Sequence, residues 1–511
     1  MTRLAGARPT APASAQRVRL VFAGLVVAKL LASLDQTVFS TALPTIVGEL
    51  DGAEHVLWVT TAYVLASTVV LPVYGKLGDL IGRKRLFITA IGIFMLGSVV
   101  GGIADSMGVL IAGRAVQGLG GGGLMVLAWA IIADIVPARQ RGRYAGVMGA
   151  VFAVSSVAGP LLGGFFTDGP GWRWAFWMNL PLGSVAIVLA AAFLRPPVRP
   201  RVRARIDLAG IALLSVAATS MVLFTTWGGT TYGWGSPVIL GLIIATIVST
   251  GLFIFVEFWA AEPVLPLTLF RNRNFVLATG AGLIAGIALF GVLAYMPTHL
   301  QMVTGVGAAH AGLLMIPATA AVLLASIGSG QIVTRTGHYK AIPIIGMFVT
   351  ALSLFLLSNL TAQTPTWIMC LYLALMGTGL GMSTQILILI VQNSTPDAIV
   401  GVATSANTFF REIGAAFGAA VVGSVFVARL SGILASTLPG EATGSTWINS
   451  LTPKIVTGLP TLERTIVVAA YNDALVPIFL LIAPIAALAG VMLMFVVERP
   501  LATRVGGEPS T

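Results

Sequence analysis

The sequence predicts an all-α protein that crosses a membrane many times. Only 9% of its 511 residues are charged and 57% are apolar, whereas about 25% of a soluble domain is charged. Apolar stretches of about twenty residues, long enough to span a bilayer, recur along the chain between short polar connectors. This composition excludes a soluble enzyme and a nucleic-acid-binding module. The single cysteine, Cys370, excludes a disulfide framework and a cysteine-based metal site.

Fourteen hydrophobic helices account for these stretches. They are predicted near residues 18–43, 57–75, 86–104, 108–136, 144–166, 174–194, 206–227, 237–258, 275–297, 310–333, 341–358, 367–393, 398–428 and 473–497. An even number of spans places both termini on the same side of the membrane.

The distribution of lysine and arginine gives the orientation. The side that carries the termini holds 22 of the 29 basic residues, the opposite side holds four, and three lie within helices. Basic loops stay in the cytoplasm, so we expect both termini to be cytoplasmic and the net charge of +11 to set topology rather than to bind nucleic acid. Arginine outnumbers lysine 24 to 5, as in GC-rich bacteria. The expected location is therefore a bacterial cytoplasmic membrane.

An internal repeat divides the chain. The connector GKLGDLIGRKR at 75–85 and the connector GQIVTRTGHYK at 330–340 share glycine at their first and eighth positions and a basic residue at the last. The two copies are eight predicted helices apart, which indicates two related halves of six helices with two helices inserted between them. The predicted units are a disordered cytoplasmic tail 1–17, an N-terminal six-helix bundle 18–194, two inserted helices 195–274, a C-terminal six-helix bundle 275–497 and a cytoplasmic tail 498–511. Within the C-terminal bundle, 429–471 is predicted to be an extracytoplasmic loop.

Five segments in order resemble signatures of one transporter family. They are LDQTVFSTALP at 34–44, the 75–85 connector, GRAVQGLGGGG at 113–123, AGPLLGG at 158–164 and WRWAFWMNLPLG at 172–183. Together they resemble the major facilitator superfamily, and within it the fourteen-span drug:proton antiporters (EmrB/QacA-like multidrug exporters). Ser40 and Ser155 depart from the patterns usual for helices 1 and 5. The resemblance covers nearly the whole chain.

This resemblance implies a major facilitator fold and a proton-coupled antiporter that exports amphipathic small molecules such as drugs by alternating access. The alternative is a dedicated exporter of one metabolite, lipid or self-made antibiotic. AGPLLGG argues against a proton-symport importer, and the repeated connector argues against a membrane receptor. The sequence has no phosphate-binding GxxxxGK[ST] loop, so no ATP and no cofactor is expected. The expected partners are a small-molecule substrate, protons and the lipid bilayer, with a monomer as the default.

Two charged residues are the first candidates for proton coupling. Asp35 lies in the middle of the first span, where a carboxylate must be neutralised, paired or hydrated. Arg114 keeps its charge and also needs a partner, and the resemblance assigns it to the proton-transfer region near Asp35. A fixed ion pair and a packing role are the structural alternatives. Glu412 is the second candidate acid, with a structural ion pair equally plausible.

The remaining candidates fall into three sets. Lys29, Ser33, Gln36 and Ser40 share a face of helix 1, about 100° from Asp35, that is predicted to line a hydrated cavity. The full set of candidate substrate-cavity residues is Gln36, Ser40, Tyr63, Tyr295, Gln385 and Arg411. By resemblance, a conformational latch comprises Gly75, Asp79, Gly82 and Arg83. By resemblance as well, the antiporter motif that brings the halves into tight contact comprises Gly159, Pro160, Gly163 and Gly164.

Overall fold

The computed structural model describes residues 15–50, 55–195, 206–229, 231–437, 455–456 and 458–503, and these are helical except for short connectors. Its only β-type pairing within those ranges is an isolated bridge between Gly228 and Tyr232. The all-helical prediction is therefore confirmed.

In the described part of the chain, seven helices form the N-terminal group. They are α1 (Ala15–Glu49), α2 (Val56–Ile81), α3 (Arg83–Gly102), α4 (Met107–Ile135), α5 (Ala138–Asp168), α6 (Trp174–Trp177) and α7 (Asn179–Phe193). α4 lies at the centre of this group, packed against α2 and α3. A Cβ at Gly118 would lie 2.4 Å from the Tyr63 carbonyl oxygen, and one at Gly120 would lie 2.5 Å from the Phe94 nitrogen. The glycine run of α4 therefore permits backbone contact on both sides.

Two helices, α8 (Leu208–Trp227) and α9 (Pro237–Trp259), form an antiparallel pair between the groups in sequence. The Asp207 and Ser236 side chains cap their first turns by accepting backbone N–H groups. α8 packs against α2 and α16. The pair therefore lies beside the two groups rather than within either.

Among the described residues, nine helices form the C-terminal group. They are α10 (Arg273–Leu293), α11 (Met296–Thr304), α12 (Ala308–Leu314), α13 (Ile316–Thr336), α14 (Ala341–Leu357), α15 (Thr366–Ser394), α16 (Val400–Thr437), α17 (Thr461–Leu475) and α18 (Ile478–Met494). Short 3₁₀ turns at Leu267–Arg271 and Asp397–Ile399 precede α10 and α16. α15 packs against α13, α14 and α10, and α16 packs along α10.

Each predicted hydrophobic helix overlaps one helix, or two consecutive ones, of the structure. Within the described chain, twelve segments are at least 18 residues long and apolar enough to cross a membrane. α14 is apolar but has only 17 residues, and α1 is not among the twelve. A multi-pass membrane protein is thus confirmed, while the count of fourteen spans stays a prediction.

The predicted loop 429–471 is shorter than expected, because α16 continues to Thr437 and α17 begins at Thr461. The residues that extend α16 are mostly helix-compatible up to Pro439, where a proline stops the pattern. Residues 438–454 of that loop, 1–14 and 504–511 of the predicted tails, and 196–205 of the inserted unit lie outside the described residues. The domain boundaries stay predictions.

Candidate transport site

A buried ion pair joins α1 to α4. The Arg114 guanidinium donates through Nη1 to Asp35 Oδ2, and the two side chains are 2% and 0% exposed. The two candidate proton-coupling residues are therefore in direct contact. Removal of either partner of such a pair strongly destabilises the folded protein, because the other charge stays buried without compensation.

The second carboxylate oxygen of Asp35 has two amide donors. Gln117 Nε2 and Asn179 Nδ2 each donate to Oδ1 at 2.9 Å. The same two nitrogens lie 2.8 and 3.1 Å from Ser98 Oγ. Asp35 thus belongs to a cluster of polar side chains that come from α1, α3, α4 and α7. Sequence reasoning missed Ser98, Gln117 and Asn179, although the last two lie within the segments GRAVQGLGGGG and WRWAFWMNLPLG.

Two aromatic rings hold the Arg114 guanidinium. Its central carbon is 4.4 Å from the ring centroids of both Phe39 and Tyr63, and its Nη1 also donates to Gln117 Oε1 at 2.9 Å. Stacking of this kind favours arginine over lysine. Tyr63, predicted to line the substrate cavity, is 2% exposed and packs against the ion pair instead.

The predicted polar face of α1 is accessible over part of its length. Gln36 and Ser40 are exposed, whereas Ser33 is buried. Lys29, farther along the same face, is partly exposed and donates to the Met148 carbonyl oxygen of α5 at 2.8 Å. Asp35 points away from this face into its buried cluster. The structure therefore separates the candidate proton site from the accessible polar face.

The candidate residues of the C-terminal group lie in different surroundings. Arg411 Nη2 is 3.1 Å from Glu412 Oε1, with the side chains 20% and 25% exposed. The hydroxyl of Tyr295 donates to the Ala419 carbonyl oxygen at 2.8 Å. The Gln385 Oε1 atom is buried without a hydrogen-bond partner among the described residues. Tyr63 and Tyr295 thus pack within separate helix groups.

The predicted latch residues form a charged network at the end of the molecule that carries the α2–α3 turn, here called the α2–α3 end. Arg83 pairs with Asp79 at 2.6 Å and with Asp134 at 2.7 Å. Asp79 Oδ2 also accepts the backbone N–H of Val402, in the first turn of α16, at 3.0 Å. Gly82 makes the turn at φ 100°, which favours glycine. The network therefore links the N-terminal group to the start of α16, where a negative charge is favourable.

The first glycine of each repeated connector lies against the opposite helix group. A Cβ at Gly75 would lie 2.0 Å from Ser405 Oγ, and one at Gly330 would lie 2.0 Å from the Gly142 carbonyl oxygen. Both contacts are at the α2–α3 end. In this structure the two groups are therefore in backbone-close contact at that end.

The AGPLLGG glycines pack within the N-terminal group. A Cβ at Gly159 would lie 2.0 Å from Thr37 Oγ1, and one at Gly163 would lie 2.8 Å from the Val38 carbonyl oxygen. Pro160 is exposed, and Gly164 has no atom within 4 Å of the Cβ position. These close contacts are with α1, whereas the resemblance implies contact between the halves. No group of three or more potential metal ligands occurs within the described part of the chain.

Two related helix groups in close contact, with buried charges inside the bundle, are one known architecture of membrane transporters. The Major Facilitator Superfamily model matches residues 25–419, so the chain belongs to this superfamily and is a transport protein rather than an enzyme.

Relatives and solved structures agree with this membership. An uncharacterized MFS-type transporter of Mycobacterium tuberculosis is 40% identical over 97% of this chain and 74% of its own length. Multidrug transporter protein MdtP of Bacillus subtilis is 38% identical over 82% of this chain and 77% of its own. An Acurin A biosynthesis cluster MFS-type transporter of Aspergillus aculeatus is 33% identical over 84% and 78%. The crystal structure of the human organic anion transporter MFSD10 matches with a TM-score of 0.63, 15% identity and coverage of 93% and 99%, which shows the fold alone.

Proposed function

We propose that this protein is a proton-coupled antiporter that exports amphipathic small molecules from the cytoplasm of a bacterium. Its 38% identity to a multidrug transporter supports the substrate class. The observation that carries the coupling is the fully buried Asp35–Arg114 pair. The protein acts as a monomer in this proposal, since the transport path lies between two helix groups of one chain.

The proposal includes fourteen spans in the cytoplasmic membrane, with both termini in the cytoplasm. To the twelve long apolar segments it adds α1 and α14. α1 has 35 residues and is about 52 Å long at 1.5 Å per residue, enough to cross a core of about 30 Å. α14, with 17 residues, is at the lower limit of about 17 for a span. The asymmetry of basic loops supports the orientation.

In this proposal Asp35 binds a proton in place of its ion pair with Arg114. Protonation neutralises the carboxylate and leaves the Arg114 charge uncompensated in a buried site, which is costly. Because the cluster joins four helices, relieving that cost requires α1 or α4 to move relative to the others. A proton entering the cell supplies about 2.3 kcal/mol per 100 mV of membrane potential and about 1.4 kcal/mol per pH unit. This is enough for roughly hundredfold concentration of an expelled substrate.

In this proposal the termini are cytoplasmic, so the α2–α3 end is cytoplasmic too, and its close contacts belong to a state that is closed toward the cytoplasm. Asp79, Arg83 and the close contact at Gly75 then act as the latch that holds the cytoplasmic end shut. Gly82 provides the turn that places Arg83 beside Asp79. Release of the latch gives the inward-facing state in which substrate binds.

The test uses inverted membrane vesicles with an acidic interior and a pH-sensitive dye. Cationic, neutral and anionic amphipathic compounds are added to wild type, Asp35→Asn and the control Glu49→Gln, which removes an exposed carboxylate paired with Arg173. We expect compound-triggered proton efflux in wild type and Glu49→Gln and none in Asp35→Asn. Equal efflux in Asp35→Asn refutes Asp35 as the carrier, and Glu412→Gln then tests the second acid.

A dedicated exporter is the second candidate, and one observation favours it. The chain is 33% identical to a transporter named for a biosynthesis cluster. In the vesicle assay, a dedicated exporter shows proton efflux with one class of compound, whereas a multidrug exporter shows it with several unrelated classes.

A further inference from the structure

Lys29 is a basic residue near the middle of α1 that has no acidic partner among the described residues. Its Nζ donates to the Met148 carbonyl oxygen at 2.8 Å and lies 5.8 Å from the ring centroid of Trp129. No carboxylate of the described residues lies within salt-bridge distance of it. A charge inside a membrane protein without a counter-ion is costly, and such charges mark ligand or ion pathways.

The two arginines that the sequence places in the interior of α4 and α16 already have acidic partners. Arg114 pairs with Asp35, and Arg411 pairs with Glu412. When Asp35 is ionised, these four groups sum to zero, and Lys29 adds a net positive charge whenever it is protonated. The central region is therefore suited to a negatively charged ligand.

Lys29 also lies near the boundary between the two helix groups. Its contacts are with α4 and α5 of the N-terminal group, and Gly149, which follows its acceptor Met148, lies against Ser326 of α13: a Cβ on Gly149 would lie 2.8 Å from Ser326 Oγ. The exposed residues Gln36 and Ser40 lie on the same face of α1, about 10 and 16 Å along the helix axis. This polar face extends from Lys29 toward the end opposite the α2–α3 turn.

A buried polar atom without a hydrogen-bond partner lies close to the part of α5 that Lys29 contacts. The Gln385 Oε1 atom is buried and lacks a donor among the described residues. Its Cγ is 3.4 Å from the position that a Cβ would take on Gly149, the neighbour of Met148. Lys29 from one helix group and Gln385 from the other thus approach consecutive residues of α5.

We propose that Lys29 binds the acidic group of the substrate, and that this substrate is an amphipathic organic anion with a carboxylate. The ammonium group supplies the counter-charge, and Trp129 offers an apolar ring surface. Gln385 Oε1 accepts a hydrogen bond from a donor group where the substrate has one. This inference rests on the proposed export function and names the charge of what is exported.

The test compares three probes with one aromatic skeleton, namely 1-pyrenebutyric acid, 1-pyrenebutanol and 1-pyrenebutylamine. Binding to the purified full-length protein in detergent is measured by calorimetry for wild type, Lys29→Met and Lys29→Arg. We expect wild type to bind the acid at least tenfold more tightly than the alcohol or the amine. Lys29→Met is expected to lose that preference, and Lys29→Arg to retain it because the charge remains.

Lys84→Met is the matched control, because Lys84 also donates to a backbone carbonyl oxygen, that of Ala191, but on the outer side of the N-terminal group. It should bind the acid like wild type. Thermal unfolding of each variant shows whether loss of binding reflects loss of folding. No preference for the acid in wild type, or an unchanged preference in a folded Lys29→Met, overturns the proposal.

The same probes in the vesicle assay separate this inference from the proposed function. Proton efflux triggered by the amine but not by the acid supports antiport and refutes the anion site. Tight, Lys29-dependent binding of the acid without any proton exchange supports the anion site and refutes proton coupling.

Discussion

Replacement of Gly330 by alanine should open the α2–α3 end. A Cβ at Gly330 would lie 2.0 Å from the Gly142 carbonyl oxygen and 2.7 Å from its carbon, and real Cβ contacts shorter than 3.0 Å essentially never occur. The obstruction is backbone rather than a flexible side chain, so no rotamer change relieves it. α5 and α13 must therefore separate by about 1 Å at this point.

The cost falls only on the state in which this end is closed. Overpacking of a well-packed contact costs about 1–3 kcal/mol. The open state has no such contact, so the substitution shifts the ratio of open to closed protein by the same free energy. That corresponds to a factor of roughly 5–150 in favour of the open state.

The assay is labelling of a buried cysteine by a water-soluble maleimide. Ser326 is 2% exposed, and its Oγ would lie 2.8 Å from a Cβ on Gly149, so Ser326→Cys becomes reactive only when the groups separate. Cys370→Ser removes the one native cysteine. Gly330→Ala should raise the labelling rate at least fivefold.

Gly328→Ala is the control on the same helix, because a Cβ there meets no atom within 4 Å. It should leave the labelling rate unchanged. Equal rates in Gly330→Ala and Gly328→Ala would refute the argument that the Gly142 contact holds this end closed.

Three further predictions concern single contacts. Asn179→Ala removes one of two amide donors to Asp35 Oδ1 and should lower the free energy of unfolding by about 1–3 kcal/mol, measured by denaturant titration in detergent. Lys76→Ala breaks the partly exposed ion pair with Glu262 and should change that free energy by no more than about 1 kcal/mol; a larger loss would mean that the pair anchors the inserted helices. Burial raises the pKa of the Glu498 carboxyl group, but accepted N–H groups lower it more, to below its usual 4.5. Its stabilisation is therefore present at neutral pH and lost below about pH 4.5, so the difference in Tm between wild type and Glu498→Gln should vanish on acidification.

The sequence allowed the helices to be placed because each apolar stretch is bounded by charges, glycine or proline. It also indicated that Asp35 and Arg114 belong to one site, since two opposite charges in apolar helices each need a partner. It could not identify the amide donors Gln117 and Asn179. Which residues face each other across helices depends on helix rotation, and the apolar pattern is too uniform around these helices to fix that rotation.

The charges at the α2–α3 end show a second limit. Asp134 is close in sequence to Arg139 and Arg141, and the structure adds a partner from another helix, Arg83, at 2.7 Å. For Glu412 a proton-carrying role and a structural ion pair were both open. Adjacent helical residues point about 100° apart, but long flexible side chains allow Arg411 and Glu412 to be in contact at 3.1 Å. Sequence position alone therefore does not identify every ion pair where several helices converge.

The segment after α18 bridges both helix groups. The Arg139 N–H donates to the Ala502 carbonyl oxygen at 3.1 Å, and Asn393 Nδ2 donates to the Arg499 carbonyl oxygen at 3.1 Å. Three residues of fully extended chain cover at most about 10 Å, so this segment acts as a tether of fixed length. Any wider separation of α5 from α15 must break one of the two hydrogen bonds. Until one of them breaks, the segment after α18 limits how far the transporter can open.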